Sequence, residues 1–240
     1  MGWAGKEATL AELELTLQRD GKPESARFEV RRIVNAGFTG RDQAAVQRHI
    51  KELRAHGVPC PDRTPVLYPK LPHLITTAAG IEVVGSGTSG EGEFVLLVGS
   101  DRVLVAAGSD HTDRDREKTT IEKSKLVCPN VLSYEVWDLA DARKGWDDLV
   151  LRSYATAVGK RTLYQEGRLA EMMTPDDLIA LVRERTEGDL VGTAIYSGTL
   201  ALLGGELICG ERFEVEIADE RRGRHLRCDY RVTPIAWIKG

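Results

Sequence analysis

No two of the four cysteines, Cys60, Cys128, Cys209 and Cys228, stand in a C-x-x-C arrangement. Such wide spacing excludes a disulfide scaffold or a thiolate zinc site and reads as reduced cytosolic thiols. No apolar run approaches the length of a membrane span. With Glu7, Glu12 and Glu14 near its start, the N-terminus does not have the pattern of a signal peptide, so the expected location is cytoplasmic. Nor is there a block of charge of one sign. The formal net charge is -4, which gives no reason to expect nucleic acid or an anionic membrane as partner. The densest basic run, Arg221-Arg222-Gly223-Arg224, follows Asp219-Glu220 and reads as a solvated hairpin turn. Internal repeats and low-complexity segments are also missing. What remains is a chain of 240 residues, 42% hydrophobic and 29% charged, able to bury a substantial core as one β-rich or mixed domain.

Short strand patterns dominate. Leu13, Leu15 and Leu17 share one face of an alternating run over Leu10–Leu17, and Phe28–Val34 repeats the pattern after the turn-forming Asp20-Gly21-Lys22-Pro23, predicting an opening hairpin. Val46, Ile50 and Leu53 have helical spacing between Gln43 and His56, after Asp42 as N-cap and before Gly57 and Pro59 as terminators. Residues Val58–Pro72 hold five of the nine prolines and read as an irregular extended connector. Further strands are predicted at Ile81–Val84, Phe94–Val98 and Val103–Ala107, a short helix within Arg114–Lys125, and a strand pair over Leu149–Val158. Thr174 caps a second helix with proline at its first position and acids in its first turn. Strands return at Val191–Tyr196, Arg212–Ile217 and Leu226–Val232. The class is β-dominated α+β.

Chemistry concentrates around Glu91-Gly92-Glu93 and Asp110. Strand side chains alternate faces, so Glu91 and Glu93 point the same way, and a hairpin of the two apolar runs brings Asp110, in an acidic turn, beside them. Three convergent carboxylates suit a hard divalent cation, although a Glu-x-Glu strand is equally a solvated charged face. The run Asp110–Asp115 fails the calcium-loop pattern, with Asp115 and Ile121 where glycine and glutamate belong, and His111 has no second histidine at zinc-binding spacing. His49 and Glu52 stand three apart on one helix face, where a carboxylate can orient an imidazole as a general base. Ser197-Gly198-Thr199 can aim backbone N–H groups at an anion or simply close a hairpin.

Taken in order, these pieces resemble the fumarylacetoacetate hydrolase superfamily from about Gly37 to Val232. His49-x-x-Glu52 followed by Pro65-Val66-Leu67-Tyr68-Pro69-Lys70 is similar to the family's H-x-x-E helix and its P-x-x-P-x-L-F-x-K connector. Glu91-Gly92-Glu93 matches its E-x-E strand, and Ser109–Asp115 its N-D-x-S-A-R-D turn. Tyr164-Gln165-Glu166-Gly167 is similar to R-Q-D-G, and Ile195–Thr199 to I-x-T-G-T-P. Ser109, Asp113 and Leu200 depart from the family pattern, and the Asn-Tyr that precedes the family histidine is missing, which marks a divergent branch.

The resemblance implies a mixed β-sandwich roll of the type of that family's C-terminal domain over residues 37–240, with residues 1–36 as an N-terminal β-hairpin region packed on it. It implies a Mg²⁺ or Mn²⁺ site formed by Glu91, Glu93 and Asp110, commonly in a homodimer. His49, Glu52 and Lys125 (or Lys123 in its place) would be catalytic. Lys70, Arg114, Gln165, Gly198 and Thr199 would bind a small-molecule 2-oxo acid or dicarbonyl substrate. The implied reaction is hydrolytic or decarboxylative C–C bond cleavage in a 1,3-dicarbonyl or 2-oxo acid through a metal-stabilised enolate. Hydration or isomerisation of an unsaturated 2-oxo acid uses the same chemistry, and a non-catalytic metal-stabilised binding subunit is the alternative from another class.

Overall fold

A computed structural model describes residues 11–19, 21–55, 61 and 63–237, apart from the side chains of residues 49 and 52–55. Two sheets face each other. The larger carries, in order across it, Lys22–Val30, Ala11–Arg19, Glu135–Asp138, Val103–Asp110, Gly92–Val98, Thr193–Tyr196, Arg32–Gly37 and Val66–Lys70. It is mixed: Ala11–Arg19 runs parallel to Glu135–Asp138, and Thr193–Tyr196 parallel to Arg32–Gly37. The smaller sheet is Lys160–Arg168, Val150–Ala157, Arg212–Asp219, Arg224–Pro234 and Gly80–Val83. The architecture is the β-dominated α+β roll expected from the resemblance.

Gly92–Val98 lies at the centre, and its unbroken apolar run is explained by burial of both its faces. Phe94 and Leu96 pack with Leu151, Val215, Ile217 and Leu226 of the smaller sheet. Val95 and Leu97 pack on the opposite side with Leu13, Leu15, Leu17 and Phe28 of the N-terminal hairpin. Alternation therefore sends Glu91 and Glu93 to the hairpin side, at the end of the strand where the apolar layer stops.

Most expected elements are present, with instructive exceptions. Phe28–Val34 is divided: Lys22–Val30 completes the hairpin, and Arg32–Gly37 is a separate strand next to the far edge of the sheet. The predicted irregular connector over Val58–Pro72 contains the strand Val66–Lys70, paired with Arg32–Gly37. Pro69 is tolerated because this strand forms the sheet edge, where a missing N–H breaks no ladder. The predicted strand pair over Leu149–Val158 is a single strand, Val150–Ala157, whose hairpin partner is Lys160–Arg168. The expected helix within Arg114–Lys125 is two, Arg114–Glu117 and Ile121–Leu126, broken near Thr119 and Thr120. Helix Gln43–Ala55 forms as expected, while Gly57 and Pro59, read as its terminators, lie outside the described residues. Thr174 caps Pro175–Arg185, its hydroxyl accepting the Asp177 N–H.

Candidate metal centre

Asp110 is not in a turn. It is the last residue of Val103–Asp110, which pairs antiparallel with Gly92–Val98 so that Glu93 lies opposite Gly108 and Gly92 opposite Ser109. One further step of the ladder, Asp110 N–H to the Glu91 carbonyl at 3.3 Å, sets Asp110 beside Glu91. Ligand-type oxygens of Glu91, Glu93 and Asp110 come within 4.8 Å of one another. Glu93 and Asp110 are 1% and 0% exposed.

Cations surround two of these three carboxylates. Lys125, on helix Ile121–Leu126, places its amine 2.5 Å from Asp110 Oδ2 and 2.9 Å from Glu91 Oε2. Lys123 is exposed, as expected two residues away on a short helix. Arg114 donates from Nη1 to Glu91 Oε1 at 2.9 Å and to Glu117 Oε2 at 2.8 Å, and from Nε to Ser89. Lys70 lies 3.3 Å from Asp110 Oδ1 and donates to Asn130 Oδ1 at 2.5 Å. Burial alone would raise the Glu91 carboxyl, but Lys125 and Arg114 outweigh it and hold it at about 2. Burial lowers the Lys125 amine, and Asp110, Glu91 and Glu93 more than reverse this, keeping it above the ordinary lysine range.

Glu93 is different. Among the described residues it has no ion pair; its Oε2 accepts the Gly198 N–H at 2.8 Å. Burial, together with the negative charges of Asp110 and Glu91, pushes its carboxyl well above the usual range. A buried carboxylate without a counter-charge, next to two others and offering oxygen donors only, fits a hard divalent cation such as Mg²⁺ or Mn²⁺.

Two networks hold this constellation. Gln165, fully buried, accepts the Gly92 N–H at 2.9 Å and the Ser153 hydroxyl at 2.7 Å, and donates to Thr199 Oγ1 at 2.6 Å and the Leu200 carbonyl at 2.7 Å. It thereby ties the residue between the two glutamates to the Gly198-Thr199 turn. Gly198 has φ +83, and a Cβ there would strike Thr39 Oγ1 and the Ala36 carbonyl, so the turn requires glycine. On the opposite face of the same strands, Ser109 and His111 Nδ1 meet the Tyr230 hydroxyl at 2.8 and 2.9 Å, and His111 Nε2 meets Thr88 at 2.9 Å. Burial, then Arg114 and Lys70, lower the His111 imidazole to about 3, so it is a neutral buried hydrogen-bonding group.

A cavity of about 520 Å³ opens onto Glu91 and Lys125, and Gly198, Thr199, Glu117 and Tyr68 also line it. The structure thus brings together Glu91, Glu93, Asp110, Lys125, Gly198 and Thr199. Lys70, Arg114 and Gln165, expected to touch substrate, are buried beside the carboxylates and the Thr199 turn and, like Glu93 and Asp110, are not among the residues that line the cavity. The side chains of His49 and Glu52 lie outside the described residues. Asn130, Ser89, Glu117, Tyr230 and His111 went unassigned in the sequence. Asn130, Ser89 and Tyr230 reach the centre through the pairing or packing of distant strands, whereas Glu117 stands three residues from Arg114 on a short helix and His111 directly follows Asp110.

Residues 36–230 match the family described as "Protein of unknown function (DUF2848)". The chain belongs to that family. No curated protein matches it. Among solved structures, Cg1458 is similar at 16% identity over 89% of this chain and 85% of that one, with a TM-score of 0.63. A putative fumarylacetoacetate hydrolase family protein from Yersinia pestis CO92 is 16% identical, over 85% of this chain and 94% of that one, with a TM-score of 0.59. A 2-keto-3-deoxy-D-arabinonate dehydratase complexed with magnesium and 2,5-dioxopentanoate is 13% identical, over 90% of this chain and 85% of that one, with a TM-score of 0.56. At these identities the likeness is one of fold, and the DUF2848 chain has the fold of the fumarylacetoacetate hydrolase superfamily.

Proposed function

We propose that this DUF2848 protein is a divalent-metal-dependent hydrolase or lyase that cleaves a C–C bond in a 2-oxo acid or 1,3-dicarbonyl compound. The observation that carries the reading is the convergence of Glu91, Glu93 and Asp110, the first of which lines a cavity together with Lys125. In this reading the three carboxylates hold Mg²⁺ or Mn²⁺. When bound, the ion supplies a Lewis acid for the substrate's 2-oxo carbonyl.

The chain's own residues do the rest. The Lys125 ammonium, on the cavity wall, meets negative charge that develops on the substrate oxygen. Thr199 and the adjoining backbone hold the substrate carboxylate, while Gly198 keeps Glu93 in place through its N–H. Lys70, Arg114 and Gln165 fix the carboxylates and the Thr199 turn. His49, with Glu52, acts as general base from helix Gln43–Ala55, whose Ala45 and Val46 line the same cavity. A cytoplasmic homodimer belongs to the same reading. The magnesium-bound relative with a dioxo acid is a dehydratase, which makes water loss from a 2-oxo acid the second reaction to assay.

The test has a binding arm and a turnover arm. Mg²⁺ or Mn²⁺ at millimolar concentration is expected to raise the melting temperature, because an ion bound to the native state alone stabilises it. Glu91→Ala/Glu93→Ala is expected to abolish both that shift and acylpyruvate cleavage. A wild-type melting curve indifferent to both ions sinks the proposal.

A further inference from the structure

The charge around the centre can be counted side chain by side chain. Four carboxylates, Glu91, Glu93, Asp110 and Glu117, are in contact with one another or with shared cations. Three cations, Lys70, Arg114 and Lys125, face them. With Glu93 ionised, as coordination to a cation requires, one negative charge is in excess, which a divalent ion turns into one positive charge. A single substrate carboxylate then brings the buried cluster to neutrality. A second carboxylate on the same substrate would have to sit further along the cavity.

Among the described residues, that part of the cavity offers it no free cation. The lining is largely apolar, with Ala36, Val46, Ile121, Leu200 and Ala201; Tyr68 and Thr39 add neutral hydroxyls, and that of Thr39 is already donated to the Ser197 carbonyl. Among the described lining residues Lys125 is the one cation, and its amine is already held by Asp110 and Glu91. The remaining ionic group on the wall is Glu117, whose guanidinium partner Arg114 is shared with Glu91. An unpaired carboxylate moved from water into such surroundings loses hydration without compensation. A neutral apolar tail meets matching apolar surface instead.

We infer that the cavity selects a monoanionic 2-oxo acid with a neutral, apolar tail and excludes dicarboxylic 2-oxo acids, with Glu117 as a specificity-determining residue. This rests on the proposed metal-dependent function. The discriminating experiment is calorimetric binding to the full chain in saturating Mg²⁺, with three probes. Oxalate reports the metal centre alone. 5-Methyl-2-oxohexanoate and 2-oxoglutarate have closely matched shapes and differ in the charge of the tail.

The expected result is oxalate binding and a preference of about tenfold or more for the methyl-branched acid, a difference of about 1.4 kcal/mol. Glu117→Gln is expected to narrow that ratio. Ile121→Lys, which adds a cation to the wall at a half-buried position, is expected to strengthen 2-oxoglutarate binding. Oxalate binding with equal or reversed preference between the two acids overturns this inference and leaves the proposed function standing. So does a ratio unmoved in both variants. Absence of oxalate binding overturns the proposed function, and this inference with it.

Discussion

Removing the ammonium of Lys125 is the most revealing single perturbation of the centre. Its side chain is 9% exposed, and it bridges Asp110, which is fully buried, to Glu91. Breaking a buried ion pair from one side strands the other charge, typically at about 3–5 kcal/mol. Lys70 and Arg114 remain on the other oxygens of Asp110 and Glu91, which places Lys125→Met at the low end, about 3 kcal/mol. For a chain of this length that is a fall in melting temperature of about 6–12 °C. Methionine keeps the length and apolar stem, so packing is retained and the effect is one of charge. The reasoning makes a second demand. A divalent cation supplies the missing positive charge, so Mg²⁺ is expected to raise the melting temperature more in the variant than in the wild type, even though turnover is lost. The assay is thermal unfolding by circular dichroism in EDTA and in millimolar MgCl₂. A variant that melts within about 2 °C of wild type in EDTA, or gains no more from Mg²⁺ than wild type does, would refute the account of Lys125 as the counter-charge of the ligand cluster.

Two further outcomes follow from the same geometry. Gln165→Leu leaves the Gly92 N–H and the Leu200 carbonyl without their partner, at about 1–3 kcal/mol each, so the urea midpoint is expected to fall with the m-value unchanged; an unshifted midpoint counts against Gln165 as the tie between the glutamate strand and the Thr199 turn. Lys123→Ala is expected to leave stability within about 0.5 kcal/mol of wild type and metal affinity unchanged, since Lys123 is exposed; a loss of metal-induced stabilisation in that variant would move the role from Lys125 to its neighbour.

Local pattern was a good guide wherever one rule acted alone. Leucines at alternate positions marked the first strand, and Thr174-Pro175 with Asp176 and Asp177 marked the start of a helix, because caps and alternation are nearest-neighbour physics. It failed where the tertiary position changed the rule. Pro69 argued against a strand until the sheet edge removed the need for its N–H. Asp110 looked like a turn residue because charge is rarely buried, and only Lys70 and Lys125 make its place at the end of an interior strand tolerable.

By itself the sequence determined the β-rich class, both main helices, and the pair Glu91 and Glu93 facing one way from a strand that has to be buried. It also carried enough ordered motifs to indicate the superfamily fold. The tertiary structure alone decided that Lys70 meets both Asp110 and Asn130 and that Arg114 meets Glu91. It likewise decided that Tyr230 reaches Ser109 and His111 from 121 and 119 residues away. Those placements depend on strand register between distant segments. Register is set by how two sheets bury their faces against each other, and no local spacing encodes it.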